Sequence, residues 1–105
     1  MRVIPLLLCA VWSLQAETIK PVQEGTLANQ QLIRDALVGV AGQVAALGCD
    51  APERFVPVVL QLPKGEPGSR YWKERWEVEG CGKRYPVVMD FRETGMESAM
   101  WSIVP

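Results

Sequence analysis

The acidic side chains are the residues of this chain that could perform catalysis, because the sequence contains no histidine. Ser-His-Asp and Cys-His catalysis and histidine metal sites each lack a required group. Two carboxylates that differ in protonation can still act as an acid and a base. Glu77 and Glu79 share one face of a predicted strand, whereas Glu74 falls between Trp72 and Trp76 on the opposite row. A buried Glu74 would need a partner, so a small carboxylate-dependent hydrolase is the remote alternative. The simpler interpretation is that Glu74 reaches the sheet margin or lies at a frayed strand end, and we predict no catalytic residue.

Other polar groups give weak signals for bound ions. Asp50, Glu53 and Asp90 could be placed around a cation, but the ligand spacing of a calcium loop is absent. Gly65 and Gly68 open no predicted helix, so they do not form a phosphate loop. We therefore predict neither a metal nor a cofactor.

The cysteines indicate one disulfide. Cys9 lies in a predicted signal peptide, which leaves Cys49 and Cys81 as an even pair in an exported chain. Closing a loop of about 33 residues restricts the unfolded chain by roughly 3 to 4 kcal/mol in the chain-entropy description. A redox-active or metal-binding thiol pair is the alternative, but it lacks both a Cys-x-x-Cys spacing and a histidine.

Residues 1–16 have the order of a secretory signal peptide. Arg2 precedes an apolar run over residues 3–12, and the segment ends on the small residue Ala16. The run is about ten residues long, too short to cross a bilayer core. We expect cleavage after Ala16 and a periplasmic or secreted mature chain without a membrane span. Lipidation of Cys9, which follows Leu8 rather than a small residue, is the minor alternative.

The length and charge of the chain limit what it can be. The formal charge is -1, and it becomes about -2 when Arg2 is lost with the leader. Because there is no basic surplus to neutralise phosphates, we expect no nucleic-acid binding. The mature chain is long enough for one domain, which we place at residues 26–105 after an N-terminal arm at 17–25.

Residues 26–48 have the clearest helical period. Thr26 can cap the first turn and Gly48 follows the last apolar residue. Gly39 and Gly42 fall inside this helix, where each is less favourable than alanine by about 1 kcal/mol. Close approach to a sheet would explain them, but tolerated packing is the interpretation we prefer. The predicted buried stripe recurs at steps of three and four residues and comprises Ile33, Leu37, Val40, Val44 and Leu47.

After the helix the period falls to two, which predicts four strands at residues 55–62, 70–80, 83–92 and 97–104. Pro57 cannot donate to a ladder and pushes the first of them toward an edge or a bulge. One N-terminal helix packed on a four-stranded antiparallel meander, stapled by one disulfide, gives an α+β fold. The arm at 17–25 is either irregular or a short edge strand.

Alternation assigns a face to each side chain of these strands. The row that we expect to face the helix comprises Trp72, Trp76 and Val78, then Val87, Met89 and Phe91, and finally Ala99, Trp101 and Ile103. The row that we expect to face water comprises Tyr71, Lys73, Arg75, Glu77 and Glu79, and its charges, with Lys83 and Arg84, favour cross-strand ion pairs. Cys81 is out of phase with the tryptophans, but the flanking Gly80 and Gly82 allow a tight turn that re-aims its sulfur.

Two loops are the candidate contact surface. In a meander, residues 63–69 and 93–96 lie at the same end of the sheet, opposite Cys81. Loops on a rigid scaffold often carry recognition. The residues that we expect to contact a partner are Lys64, Glu66, Arg70, Thr94 and Met96.

The segments around the cysteines carry a resemblance. Leu47-Gly-Cys49, Trp76-Glu-Val-Glu-Gly-Cys81-Gly82 and the strand at 87–91 resemble short exported proteobacterial proteins, in which a helix ends near a first cysteine and a W-x-V-x-x-C-G strand ends at a second. That group has no assigned activity, so the resemblance implies a periplasmic location and transfers no catalytic residue. A helix gripped by an antiparallel sheet is also similar, more remotely, to the cystatin-type arrangement of protease inhibitors.

The function that we expect is therefore a small, exported, non-enzymatic binding module. Its partner would be a protein of the envelope or extracellular space, bound in the manner of an inhibitor or an immunity protein. A self-associating accessory or structural protein of the envelope is the alternative, with a homo-oligomer formed through the strand near Pro57 or through the last strand.

Overall fold

The computed structural model describes residues 19–105, which form one helix and one antiparallel sheet. The helix is α1 (Gln30–Ala46). The strands lie in the order in which they occur along the chain: β1 (Gln23–Glu24), β2 (Pro52–Lys64), β3 (Tyr71–Gly80), β4 (Lys83–Glu93) and β5 (Ala99–Ile103). This arrangement confirms the α+β fold, the meander and the helix that precedes it. The predicted signal peptide, the cleavage site after Ala16 and Cys9 lie outside the described residues.

The predicted number of strands is wrong, because the sheet has five strands and not four. Gln23 and Glu24, which we placed in the arm, pair with Val59 and Val58 at the edge of β2. These two residues of the arm therefore form the short edge strand that its slight alternation allowed. Pro57 is compatible with a strand that is paired on both sides. Its carbonyl accepts from Gly25 N at 3.0 Å, so its ring nitrogen also faces the β1 side and removes no bond to β3.

The helix starts three residues later than a Thr26 cap would require. Asn29 is the N-cap, and its side chain accepts from Leu32 N at 2.8 Å. Thr26 instead accepts from Ala28 N within the turn that leads to the helix. The buried stripe is also rotated by about one residue, since Ile33 and Leu37 are only partly buried and Leu47 is exposed. The residues that α1 buries are Leu32, Ala36, Val40 and Val44.

The two internal glycines of α1 have different environments. A β-carbon on Gly39 would overlap the Trp101 ring of β5, whereas a β-carbon on Gly42 would meet nothing. Tolerated packing is therefore the wrong interpretation for Gly39, where the helix approaches the sheet closely. It agrees with the open surroundings of Gly42.

The predicted inner row of the sheet is confirmed. Trp72 stacks on Phe91 with 5.1 Å between ring centroids and an interplanar angle of 8°. Trp76, Val78, Val87 and Met89 are buried with them against the helix, while the β5 residues of this row are partly buried. The inner face of β3 and β4 is thus the core of the domain.

The outer row contains one exception to the prediction. Arg75 was expected to face water, but only 7% of it is exposed. Its Nη1 donates to the carbonyl of Ile19 at 2.9 Å, and its Nε donates to Glu77 at 3.0 Å. The start of the described arm therefore bonds to Arg75 in the middle of this face, which alternation within β3 could not reveal.

The disulfide between Cys49 and Cys81 is confirmed, with 5.9 Å between the Cα atoms. Cys49 is buried just beyond the end of α1, and Cys81 occupies the turn between β3 and β4. Cys81 has a φ of 53° and Gly82 a φ of 72°, the left-handed pair that a two-residue hairpin turn requires. The turn re-aims the sulfur as expected, and the bridge joins the helix end to the hairpin.

Candidate binding surface

The two predicted contact loops meet at the end of the sheet opposite Cys81, as we expected. Gly95 N donates to the carbonyl of Gly68 at 2.9 Å, which joins the loops through their backbones. Glu93 Oε1 also accepts from Gly68 N at 2.9 Å and from Arg70 N at 3.0 Å. We call residues 63–70 and 93–98 together the loop end. Its backbone is held in place by residues on both sides.

Arg70 and Glu93 form the central ion pair of the loop end. The guanidinium donates through Nε at 3.1 Å and through Nη2 at 2.9 Å, one bond to each carboxylate oxygen. These bonds, with the Arg70 and Gly68 amides, lower the pKa of Glu93 to about 2, and the same carboxylate raises the pKa of Arg70. The Arg70 guanidinium is thus already bound to Glu93 within the protein, although part of the side chain remains exposed.

The other predicted contact residues are exposed at the loop end. Lys64 pairs in register with Tyr71, the Glu66 carbonyl accepts from Ser69 N, and Thr94 N donates to the Ser98 carbonyl. Met96 is 76% exposed and sits beside Gly68. The structure therefore brings all five predicted residues to one surface, with Met96 as its apolar member.

A groove that the sequence did not reveal adjoins this surface. It crosses the outer face of the sheet and has a volume of about 500 Å³. Strand register forms it from two cross-strand rows, Tyr71, Arg92 and Met100 on one side and Gln61, Lys73, Asp90 and Ser102 on the other. Alternation places Tyr71 and Lys73 on this face, but it cannot tell which residues lie across from them.

The charges of the outer face fall into two groups. Toward the disulfide, Arg84 lies 3.4 Å from Glu77 and 3.5 Å from Glu79, which also pairs with Arg54 at 3.6 Å. The predicted cross-strand ion pairs are thus present here. No such pair involves Lys83 among residues 19–105.

In the groove the pairing is incomplete. Lys73 pairs with Asp90 at 3.0 Å. The Arg92 guanidinium carbon lies 5.6 Å from the centre of the Tyr71 ring, and no carboxylate of residues 19–105 pairs with it. The groove therefore has one cation in excess, held by an aromatic ring.

Glu74 is the buried carboxylate of the domain, with no exposed surface. Its Oε1 accepts from Trp76 Nε1 at 2.8 Å, and its Oε2 accepts from Trp72 Nε1 at 2.8 Å and from Leu27 N at 2.9 Å. All three donors belong to the protein, so the group is satisfied where it lies. It points into the core and not to the sheet margin. This geometry favours a structural role, in which Glu74 joins two indoles to the segment before the helix.

The acidic residues considered for a cation are not brought together. Asp90 lies in the groove against Lys73, whereas Asp50 and Glu53 lie at the disulfide end of the sheet. Within residues 19–105 no three acidic or cysteine side chains are grouped as metal ligands. The helix in this part of the chain is not long and apolar enough to span a membrane.

No family model matches the chain, and no similar protein is found among curated proteins or solved structures. The resemblance to short exported proteobacterial proteins stays a prediction.

Proposed function

We propose that this protein is a small exported binding module whose loop end contacts a protein of the envelope or extracellular space. The disulfide is consistent with an oxidising, exported compartment. A signal peptide cleaved after Ala16, with release to the periplasm or beyond, belongs to the same proposal. The mode of binding would be that of an inhibitor or an immunity protein.

The observation that carries the proposal is that hydrogen bonds join the two loops beside an exposed methionine. The hydrogen bond from Gly95 N to the Gly68 carbonyl, together with the bonds that Glu93 accepts, orders the loop backbone before any partner binds. A surface that is already ordered loses less conformational entropy on binding. Met96 supplies the adaptable apolar contact that interfaces favour.

Capture with two matched variants tests the proposal. The oxidised chain from residue 17 would be immobilised and exposed to envelope and culture-fluid extracts, beside Met96→Lys and Val38→Lys. Val38 is also 76% exposed but lies on α1, so it receives the same new charge away from the loop end. We expect a protein that the native chain and Val38→Lys retain and that Met96→Lys loses. Equal retention by all three forms, or retention of nothing, would contradict the proposal.

Self-association through β5 is a second candidate, favoured by the chemistry of that edge. Residues 98–105 carry no charged side chain, whereas natural edge strands are commonly protected by charges or prolines. Val104 N donates to Val88 O, so antiparallel alternation directs the backbone groups of Ala99, Trp101 and Ile103 away from β4. A second copy could add its own β5 there.

Sedimentation velocity over a concentration series tests this second candidate. Ser102→Lys places a charge on the exposed edge, and Ser69→Lys places one in the loop at 65–70 as a control. We expect a dimer that Ser102→Lys alone disperses. A native chain that remains monomeric at every concentration would exclude association through β5.

A further inference from the structure

We propose that the groove beside the loop end binds a carboxylate side chain, Asp or Glu, of the partner protein, with Arg92 as its ligand and Met100 as the apolar contact beside it. This inference rests on the proposed function and names the chemistry of the partner. It uses residues on β3, β4 and β5 that the loops do not contain.

The Arg92 guanidinium has the position and the donors that carboxylate recognition requires. Its guanidinium carbon lies over the Tyr71 ring, 5.6 Å from the ring centre, and a cation–π contact of this kind leaves the guanidinium N–H donors free to bond to another acceptor. A planar guanidinium binds a carboxylate with two parallel hydrogen bonds, which a point charge cannot do. To the extent that the contact with Tyr71 restricts the Arg92 side chain, less rotamer freedom is lost when the acid binds.

The contrast with other arginines of the sheet makes Arg92 distinctive. Arg54, Arg75 and Arg84 each pair with a glutamate on the outer face, and Arg70 pairs with Glu93. Within residues 19–105 each of those guanidiniums thus pairs with a carboxylate, whereas Arg92 pairs with none. An acid from a second protein would complete the pattern.

The surroundings specify more than a charge. Lys73 and Asp90 neutralise each other, so Arg92 sets the sign of the groove, and Lys64 adds a cation opposite Tyr71. Met100 lies across from Arg92 in register and is exposed. The groove runs from β2 to β5, three strand spacings or about 14 Å, which is the length of about four extended residues. The chemistry fits a short extended segment with an acidic side chain next to an apolar one.

A library of random peptides displayed on phage provides the probe. The oxidised chain would be panned in parallel with Arg92→Gln, which removes the charge and keeps most of the side chain. Arg84→Gln is the matched control, because Arg84 is on the same strand and face but is already paired. The most enriched peptide would be synthesised with its acid and with the corresponding amide, and titrated against all three proteins. Circular dichroism would verify the fold of each variant.

We expect enrichment of Asp or Glu next to an apolar residue, and binding that weakens about tenfold or more with Arg92→Gln or with the amide peptide but is unchanged with Arg84→Gln. Peptides enriched without an acid, equal binding by Arg92→Gln, or no enrichment over Arg92→Gln would overturn the proposal. So would Arg92-dependent binding of an alginate oligomer in the absence of peptide binding, since the acid would then come from a glycan. Capture that depends on Met96 but not on Arg92 would leave the binding module standing and remove only the groove.

Discussion

Replacing Glu74 with glutamine tests whether this buried carboxylate organises the core. The best that an amide can do is to place its oxygen at the position of Oε2 and keep the bonds from Trp72 Nε1 and Leu27 N. Its NH₂ group then faces Trp76 Nε1, which is also a donor, so that indole loses its partner. The alternative orientation leaves two donors without an acceptor.

The magnitude follows from these contacts. A buried donor left unsatisfied costs about 1 to 3 kcal/mol. The two remaining bonds, which had a charged oxygen as acceptor, become weaker bonds to a neutral oxygen, and each then contributes about 1 kcal/mol. Removing a buried charge offsets part of this loss. We expect Glu74→Gln to lower the free energy of unfolding by about 2 to 4 kcal/mol, a large share of the roughly 5 to 15 kcal/mol typical of a domain.

Urea denaturation followed by tryptophan fluorescence measures this loss. Glu79→Gln is the control, because Glu79 is on the same strand but pairs with exposed arginines, and such a pair contributes about 1 kcal/mol or less. In NMR spectra of the native chain the indole N–H signals of Trp72 and Trp76 should exchange more slowly than that of Trp101. If Glu74→Gln is no less stable than Glu79→Gln, the carboxylate does not organise the core and our reasoning is wrong.

Three further predictions concern stability. Gly39→Ala should destabilise by about 1 to 3 kcal/mol because its methyl group overlaps Trp101, whereas Gly42→Ala should stabilise by up to about 1 kcal/mol; thermal melts compare them. The pKa of Glu93 falls from 4.5 when unpaired to about 2, so its pair with Arg70 contributes stability above about pH 4.5 and loses it as the pH falls toward 2. Denaturation midpoints at pH values from about 6 to about 2 should therefore converge for the native chain and Glu93→Gln, and a constant gap would contradict this pairing. Reduction of the disulfide should lower the free energy of unfolding by about 3 to 4 kcal/mol, and an unchanged urea midpoint in reductant would contradict it.

Local pattern was sufficient to assign the inner face of β3 and β4, because the pleat is a local property. Alternation placed Trp72, Trp76 and Val78 on the core face and also placed Glu74 there, although the inward carboxylate was the less favoured interpretation. Alternation could not identify the groups that donate hydrogen bonds to the Glu74 carboxylate. Leu27 N, one of the three donors, lies 47 residues earlier in the chain.

The same contact lies in the segment that precedes the helix. The bond from Leu27 N to Glu74 attaches this segment to β3. Asn29 is the next residue that can cap. A local pattern of hydroxyl and amide side chains offers both caps, and that pattern alone does not decide between them.

Register is the part of the site that alternation alone leaves open, and the two-residue turn at Cys81 and Gly82 sets it. The outer face was predicted with its charges, but a shift of two residues between β3 and β4 would keep every face and change every partner. With the observed register, Asp90 meets Lys73 and Arg92 meets Tyr71. Neither pair can be derived from alternation.

Arg70 and Arg92 show why this matters for function. Arg70 was predicted as a contact residue because it borders a loop, yet its guanidinium is bound to Glu93 and orders that loop. Arg92 was predicted only as the end of a strand, yet among the arginines of the sheet it is the one that pairs with no carboxylate of residues 19–105. A charged residue that is already paired stabilises a surface, whereas one that is positioned and unpaired can recognise a partner. The proposed groove therefore rests on which charges are paired across the strands, and the register of the strands decides this, whereas loop position does not.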